Sequence, residues 1–169
     1  MLSRKAYLPD AETIHALIGS YSQDGTLLPR SFAEICENIR DFTVVEQDGE
    51  IVACGALHLY GPHLSEIRSI TVNSSVQGKG AGRLLVEALM EEAEYHRVTC
   101  VCLFTRIPEF FARMGFGFAR WEDLPDKIYK DCINCPRIHA CDEIAMVRGA
   151  LPSFAILQHP GNVLVKIQA

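Results

Sequence analysis

Between Glu66 and Leu85 the chain reads EIRSITVNSSVQGKGAGRLL, and this stretch constrains the fold more than any other. A β-type run, Ile67 to Val72, feeds a polar turn, then Gly78, Gly80 and Gly82, and a helix-like segment follows at once. Strand, glycine-rich turn and helix N-terminus in that order gather backbone N–H groups at one point. There the helix dipole and the unpaired donors favour an anion. Glycine lets a phosphate approach the main chain without a Cβ in the way. The expected ligand is therefore a phosphate-bearing cofactor held by main chain rather than by a cluster of lysines. A Walker loop needs Gly, four residues, then Gly-Lys-Ser/Thr, and no such string occurs. A dinucleotide fingerprint needs Gly-x-Gly-x-x-Gly, whereas the spacing here is Gly-x-Gly-x-Gly.

A chain of 169 residues is expected to form one globular domain, burying roughly 70% of its unfolded surface. Its 49% apolar and 22% charged residues place it among ordinary soluble proteins rather than disordered ones. The net charge of −5, with no basic run, gives nucleic acid nothing to bind. No apolar stretch reaches the ~18 residues of a membrane helix. The opening MLSRKAYLPD lacks the apolar core of a signal peptide, so a cytoplasmic location is expected. The seven cysteines are then expected to be reduced, and an odd number argues against a fully paired disulfide framework.

Periodicity and punctuation predict the elements. Ser3 to Leu8 reads as a first strand. Pro9-Asp10 opens a helix through Gln23, with Ile14, Leu17, Ile18 and Tyr21 on one face, ended by Asp24-Gly25. Ser31 with Glu34 forms a capping box opening a helix through Ile39. Phe42 to Glu46 and Ile51 to Leu59 read as strands joined at Asp48-Gly49, a tight-hairpin signal. Gly61-Pro62 breaks the second of these. Next come a strand, Glu66 to Val72, and a helix, Gly80 to His96, with Leu84, Leu85, Ala88 and Leu89 as its buried stripe. Thr99 to Thr105 fits a buried strand, Pro108 starts a short helix that Gly115 stops, and Glu143 to Val147 is a late strand. The order is β-α-α-β-β-β-α-β-α-β.

The string Gln77-x-x-Gly80-x-Gly82, with its preceding strand and following helix, resembles the acetyl-CoA loop of the GNAT acetyltransferase superfamily. Pro108-Glu-Phe-Phe-Ala-Arg-Met-Gly-Phe116 resembles the family's short helix after the fifth strand, and the element order matches over roughly residues 3 to 148. The resemblance implies an α/β (α+β) GNAT fold: a central mixed, mostly antiparallel sheet, splayed at the acetyl-CoA strand, with helices on both faces. Residues 1–150 would form the acetyltransferase domain and 151–169 a C-terminal extension. It further implies that Gln77, Gly78, Lys79, Gly80, Ala81, Gly82 and Arg83 hold the coenzyme A pyrophosphate. Ile70, Thr71 and Val72 would offer backbone groups to the pantetheine arm.

Leu27-Leu-Pro-Arg30, Ala53-Cys-Gly-Ala-Leu-His58, Glu66-Ile-Arg-Ser69 and Asp123-Leu-Pro-Asp-Lys-Ile128 resemble the amino-acid N-acetyltransferases that make N-acetylglutamate in arginine biosynthesis. The chain is expected to be a short form, without the kinase-like domain of longer versions. Physical chemistry agrees, since a dicarboxylic amino acid is best held by forked arginine contacts. Arg30, Arg68 and Lys127 are the candidates, with Arg106 a fourth. Glu66 is the candidate base for the substrate amine, and His58 and His63 are alternatives. Backbone donors at the thioester oxygen would contribute ~3 kcal/mol each. Many family members place a tyrosine acid on the helix after the fifth strand. Phe110 and Phe111 stand here, so no tyrosine acid is expected on that helix.

Cys132, Cys135, His139 and Cys141 open with a metal-like Cys-x-x-Cys, but the single residue between His139 and Cys141 is tight and no second Cys-x-x-Cys exists, so reduced loop cysteines are expected ahead of a zinc site or a redox-active pair, and no metal is expected. Cys36, Cys54, Cys100 and Cys102 read as small buried hydrophobes. The last twenty residues carry two apolar runs around His159-Pro160-Gly161 that could pair as strands or pack against a second subunit of a homodimer. Other amine acceptors, or an acetyl-CoA-binding module without turnover, stay open as alternatives to L-glutamate.

Overall fold

A computed structural model describes residues 1–23, 25 and 27–156, together with the backbone of 164–166. Strand β1 (Leu2–Lys5) ends earlier than expected, because Pro9 initiates a 3-10 turn at Leu8–Asp10. Helix α1 (Ala11–Ser22) follows, burying Ala11, Ile14 and Ile18. Of the expected Asp24-Gly25 stop, Asp24 lies outside the described residues, while Gly25 N–H bonds the Ser22 carbonyl at 3.2 Å. Helix α2 (Phe32–Glu37) starts at the predicted capping box. Glu34 N–H donates to Ser31 Oγ at 3.2 Å, and Ser31 N–H donates to Glu34 Oε2 at 2.8 Å. It stops two residues short of Ile39, because Asn38 leaves helical geometry and turns its Nδ2 onto the Glu34 carbonyl at 2.7 Å.

Strands β2 (Phe42–Gln47) and β3 (Glu50–Gly61) form the predicted hairpin. Asp48 and Gly49 both sit at positive φ, 54° and 83°, as a primed two-residue turn requires. Then come β4 (Leu64–Val72), α3 (Ala81–Tyr95), β5 (Cys100–Thr105) and the short α4 (Pro108–Ala112). Strand β6 (Gly117–Phe118) and helix α5 (Pro125–Lys130) were not expected from the sequence, and β7 (Ile144–Gly149) runs two residues beyond the predicted end. The two C-terminal apolar runs pair as β8 (Phe154–Ile156) and β9 (Leu164–Lys166), while the His159-Pro160-Gly161 divider lies outside the described residues.

Seven strands join in the order β1-β2-β3-β4-β5-β7-β6. The recorded pairings are antiparallel (β1–β2, β2–β3, β5–β7, β6–β7) except β4–β5, which is parallel at Ser65↔Val101 and Glu66↔Cys102. The chain divides into two units: Met1–His58 with Ile67–Glu92, and Leu59–Glu66 with Ala93–Ala169. In the first, Ile14, Ile18, Ile35, Phe42, Val44 and Cys54 build the core. In the second, Leu64, Cys100, Cys102, Leu124 and Ala145 do so, with Phe104 and Trp121 against them. The buried stripe of α3 is rotated by about one residue from expectation. Leu85, Val86, Leu89, Met90 and Ala93 are buried, and Leu84 and Ala88 only half so. Cys36 is likewise half-buried, because its neighbour Ile35 takes the core-facing position on α2.

Candidate active site

The glycine loop is built by its own backbone. Asn73 Oδ1 accepts from Ser75 N–H at 3.0 Å and starts a 3-10 turn, Ser74–Val76. Gly78 and Gly80 then take φ of +75° and +93°, a region closed to most side chains. A Cβ at either would meet nothing within 4 Å, so the requirement is conformational and the space above the loop is open. Leu84 N–H bonds the Gly80 carbonyl at 3.0 Å. The amides of Ala81, Gly82 and Arg83 come before that first helical bond and have no acceptor inside α3. Main-chain donors in this arrangement could hold an anion.

The side chains of the loop are turned to other tasks. Gln77 Nε2 donates to Tyr21 Oη at 2.7 Å and to the Val72 carbonyl at 3.3 Å, and Tyr21 Oη donates to the same carbonyl. Lys79 Nζ caps the Ser75 carbonyl at 3.0 Å, and Arg83 Nε pairs with Glu87 at 2.7 Å. On β4, Thr71 is buried with Oγ1 against Cys54 Sγ at 3.0 Å, while Ile70 and Val72 are half-buried. Thr71 therefore has only main-chain groups to offer a ligand.

The first unit holds a shallow cleft open to solvent between α2, β2 and β4. Arg30, Glu34, Asn38, Asp41, Arg68 and Ser69 supply its polar lining, so the structure brings Arg30 and Arg68 together. Glu34 is held below the usual carboxylate range, first by the Ser31 N–H and further by the charges of Arg30 and Arg68. Ser69 has φ of +56°, a local irregularity in β4 beside Arg68. Arg68 Nη2 donates to His58 Nδ1 at 3.1 Å. The same His58 Nδ1 also lies 3.5 Å from Asp41 Oδ2.

A second group lies in the other unit. Glu66 is 3% exposed, and its Oε1 is 2.8 Å from Lys127 Nζ. Its Oε2 is 2.8 Å from Tyr60 Oη, which is also 2.9 Å from Asp131 Oδ2. Lys127 Nζ reaches the same Asp131 oxygen at 3.1 Å. Burial works against the Lys127 charge, yet Glu66 and Asp131 outweigh it and keep the ammonium above its ordinary value. Burial first, then the charges of Glu66 and Asp131, push the Tyr60 phenol far up, so it stays protonated. Glu143 nearby is raised by burial against the pull of Arg106 and Lys127. Lys127 thus meets Glu66 within this unit.

The remaining candidates are engaged elsewhere. His63 is buried against Asp126, with Nε2 3.0 Å from Oδ2. Arg106 pairs with Asp142 at 2.7 Å. Phe111 on α4 is buried, and Tyr129 on α5 is 60% exposed. Among the described residues no group of three or more His, Cys, Asp or Glu is arranged to hold a metal, and no helix is long and apolar enough to cross a membrane. Tyr21 and Tyr60 are the residues that reading the sequence missed. Tyr21 appeared there only as a helix-face residue, and Tyr60 meets its partner across 71 positions.

Residues 11–116 match the Acetyltransferase (GNAT) family. The chain is 42% identical over 145 residues to an uncharacterized N-acetyltransferase of Chlorobaculum tepidum, covering 86% of this chain and 94% of that one. It is 34% identical over 116 residues to the amino-acid acetyltransferase of Mycobacterium tuberculosis, covering 67% and 66%. Among solved structures, N-acetylglutamate synthase from Neisseria gonorrhoeae, complexed with coenzyme A and N-acetyl-glutamate, superposes with a TM-score of 0.79 at 28% identity. That match covers 87% of this chain but 34% of the synthase, so the chain spans about a third of its length. The matched region holds strand, glycine loop and following helix in one piece, and the chain belongs to the GNAT acetyltransferase family.

Proposed function

We propose that the chain transfers the acetyl group of acetyl-CoA to the α-amine of L-glutamate, in the cytoplasm, as the step that begins arginine biosynthesis. The observation that carries the choice of acceptor is the cleft in which Arg30 and Arg68 meet Glu34 and Asp41. Its paired charges of both signs complement an amino acid, which carries both signs itself, and forked guanidinium groups suit two carboxylates. The named relative in Mycobacterium tuberculosis and the solved synthase support the same class.

In this reading the amides at 78–83 hold the pyrophosphate and the backbone at 70–72 aligns the pantetheine arm. The acceptor nitrogen attacks the thioester carbonyl carbon; the C–N bond forms, the C–S bond breaks, and coenzyme A leaves as a thiolate. Glu66 takes the proton of the ammonium, a role typically worth ~10²–10⁴-fold in rate. Lys127 holds Glu66 in place. Glu34 and Asp41 favour a second reading, an acceptor with an additional cationic group. Product mass spectrometry with acetyl-CoA and a panel of amino acids separates the two. N-acetylglutamate forming fastest supports the first reading, and a basic amino acid winning removes it. Arg30→Ala is then expected to raise the glutamate KM.

A further inference from the structure

Glu66 has both carboxylate oxygens engaged, and the two partners differ in kind. Lys127 can only donate, whereas a phenol donates one proton and accepts others. Tyr60 Oη lies 2.8 Å from Glu66 Oε2 and 2.9 Å from Asp131 Oδ2. One phenolic proton serves one of these contacts at a time. With both carboxyl groups ionised, the other contact sets two oxygens against each other without a hydrogen between them. A single proton added to the group completes both contacts. The two carboxyl groups also differ in access: the Glu66 side chain is 4% exposed and that of Asp131 is 31% exposed.

We propose that Tyr60 is the proton outlet of Glu66, passing the proton taken from the acceptor amine to Asp131 and from there to water. The inference rests on Glu66 being the base. The step balances within three groups. Glu66 Oε2–H breaks as a new O–H bond forms on Tyr60, the original Tyr60 O–H breaks, and Asp131 Oδ2 gains a proton. Glu66 returns to a carboxylate, ready for the next amine, and no charge is left on the phenol. Lys127 bridges the start and the end of the path, at 2.8 Å from Glu66 and 3.1 Å from Asp131, and holds the two carboxyl groups at their spacing. The other titratable groups facing Tyr60 are Cys102, whose thiol burial raises well above its ordinary value, and Lys130, whose ammonium lies 5.4 Å from the ring centroid. Neither offers a second acceptor: the thiol stays protonated and the ammonium only donates. Tyr60 is a positioning and relay residue in this scheme, acting through Glu66.

The test uses the full chain and steady-state kinetics with Tyr60→Phe, Asp131→Asn and Glu66→Gln. Tyr60→Phe is expected to lower kcat about tenfold or more, with the acceptor KM unchanged within about twofold. Asp131→Asn, at a half-exposed position, should reproduce the loss if the phenylalanine variant folds poorly. The deciding readout is chemical rescue. The kcat of both variants should rise with the concentration of a small neutral base such as imidazole, while the unaltered chain stays flat. Unchanged kcat in Tyr60→Phe overturns the relay. So does a loss that imidazole does not relieve, which marks a merely structural role. If Glu66→Gln is as active as the unaltered chain, Glu66 is not the base and the relay falls with it. If glutamate is not acetylated at all, only the choice of acceptor has failed, and the same rescue is run with the best amine of the panel.

Discussion

Asp126→Ala tests the energetics of the second unit most directly. Asp126 is 2% exposed, and its two oxygens serve two buried donors: Oδ2 at 3.0 Å from His63 Nε2, and Oδ1 at 2.8 Å from the Ile156 N–H of β8. His63 is 3% exposed, its Nδ1 has no recorded partner, and its ring stacks on Phe154 at 4.4 Å. Alanine would leave Nε2 and the Ile156 N–H without an acceptor. Each of the two orphaned buried donors costs about 1–3 kcal/mol, or about 2–6 kcal/mol together. For a chain of this size, at roughly 2–4 °C per kcal/mol, the melting temperature should fall by about 10 °C. Asp126→Asn keeps an acceptor for Ile156 and can present its amide to a re-tautomerised His63, so it should cost only about 1 kcal/mol. Thermal and urea unfolding followed by two optical probes measure both variants, and amide exchange at Ile156 reports the local bond. A loss under about 1 kcal/mol in the alanine variant would refute the reasoning, because the geometry leaves no second acceptor within the pair.

Four further outcomes follow from the same geometry. Gly80→Val puts a β-branched residue at φ of +93° and should raise the acetyl-CoA KM at least tenfold with little change in the acceptor KM, read by initial rates. Arg68→Ala should raise the glutamate KM by ~10-fold or more, since a charge-assisted hydrogen bond is worth ~1.5–3 kcal/mol. Asp10 is held below its ordinary 3.8, chiefly by its hydrogen bond from Arg4. Its contribution to stability is therefore present above that value and lost as pH falls through the lower folded value. Asp10→Asn should flatten that part of an acid-unfolding curve. Cys54, its thiol pushed up to about 12 by burial, should resist iodoacetamide at neutral pH while the half-buried Cys36 reacts, as peptide mass mapping would show.

What could be read from the sequence were features carried by neighbouring residues. The capping box at Ser31 and Glu34, the turn at Asp48-Gly49 and the loop from Gln77 to Gly82 each declare themselves within six residues, because each is fixed by local backbone demand. Helix α5 did not, since a six-residue helix between 3-10 turns shows no repeating stripe and is held by tertiary packing around Leu124 and Asp126. The meeting of Arg30 with Arg68 could be expected only as a shared chemistry, and the pairing of Glu66 with Lys127 was not. Both candidates were named for separate tasks, yet opposite charges in a buried place seek each other first. Tyr60 is the clearest loss. Nothing beside it in the strand marks it, and its contact with Asp131 arises only where the chain folds back over 71 positions.

Tyr21, Val72 and Gln77 show how change in one part of such a chain is tied to change in another. The carbonyl of Val72 is held by two side chains, one from α1 and one from the loop, which also hold each other. Replacing either by an apolar residue strands the other, so the two positions are expected to drift as a couple rather than singly. A lineage that loses the phenol must replace the glutamine soon afterwards, or let the entrance to α3 loosen. Grafting this loop onto another member of the family would accordingly need the α1 tyrosine to travel with it.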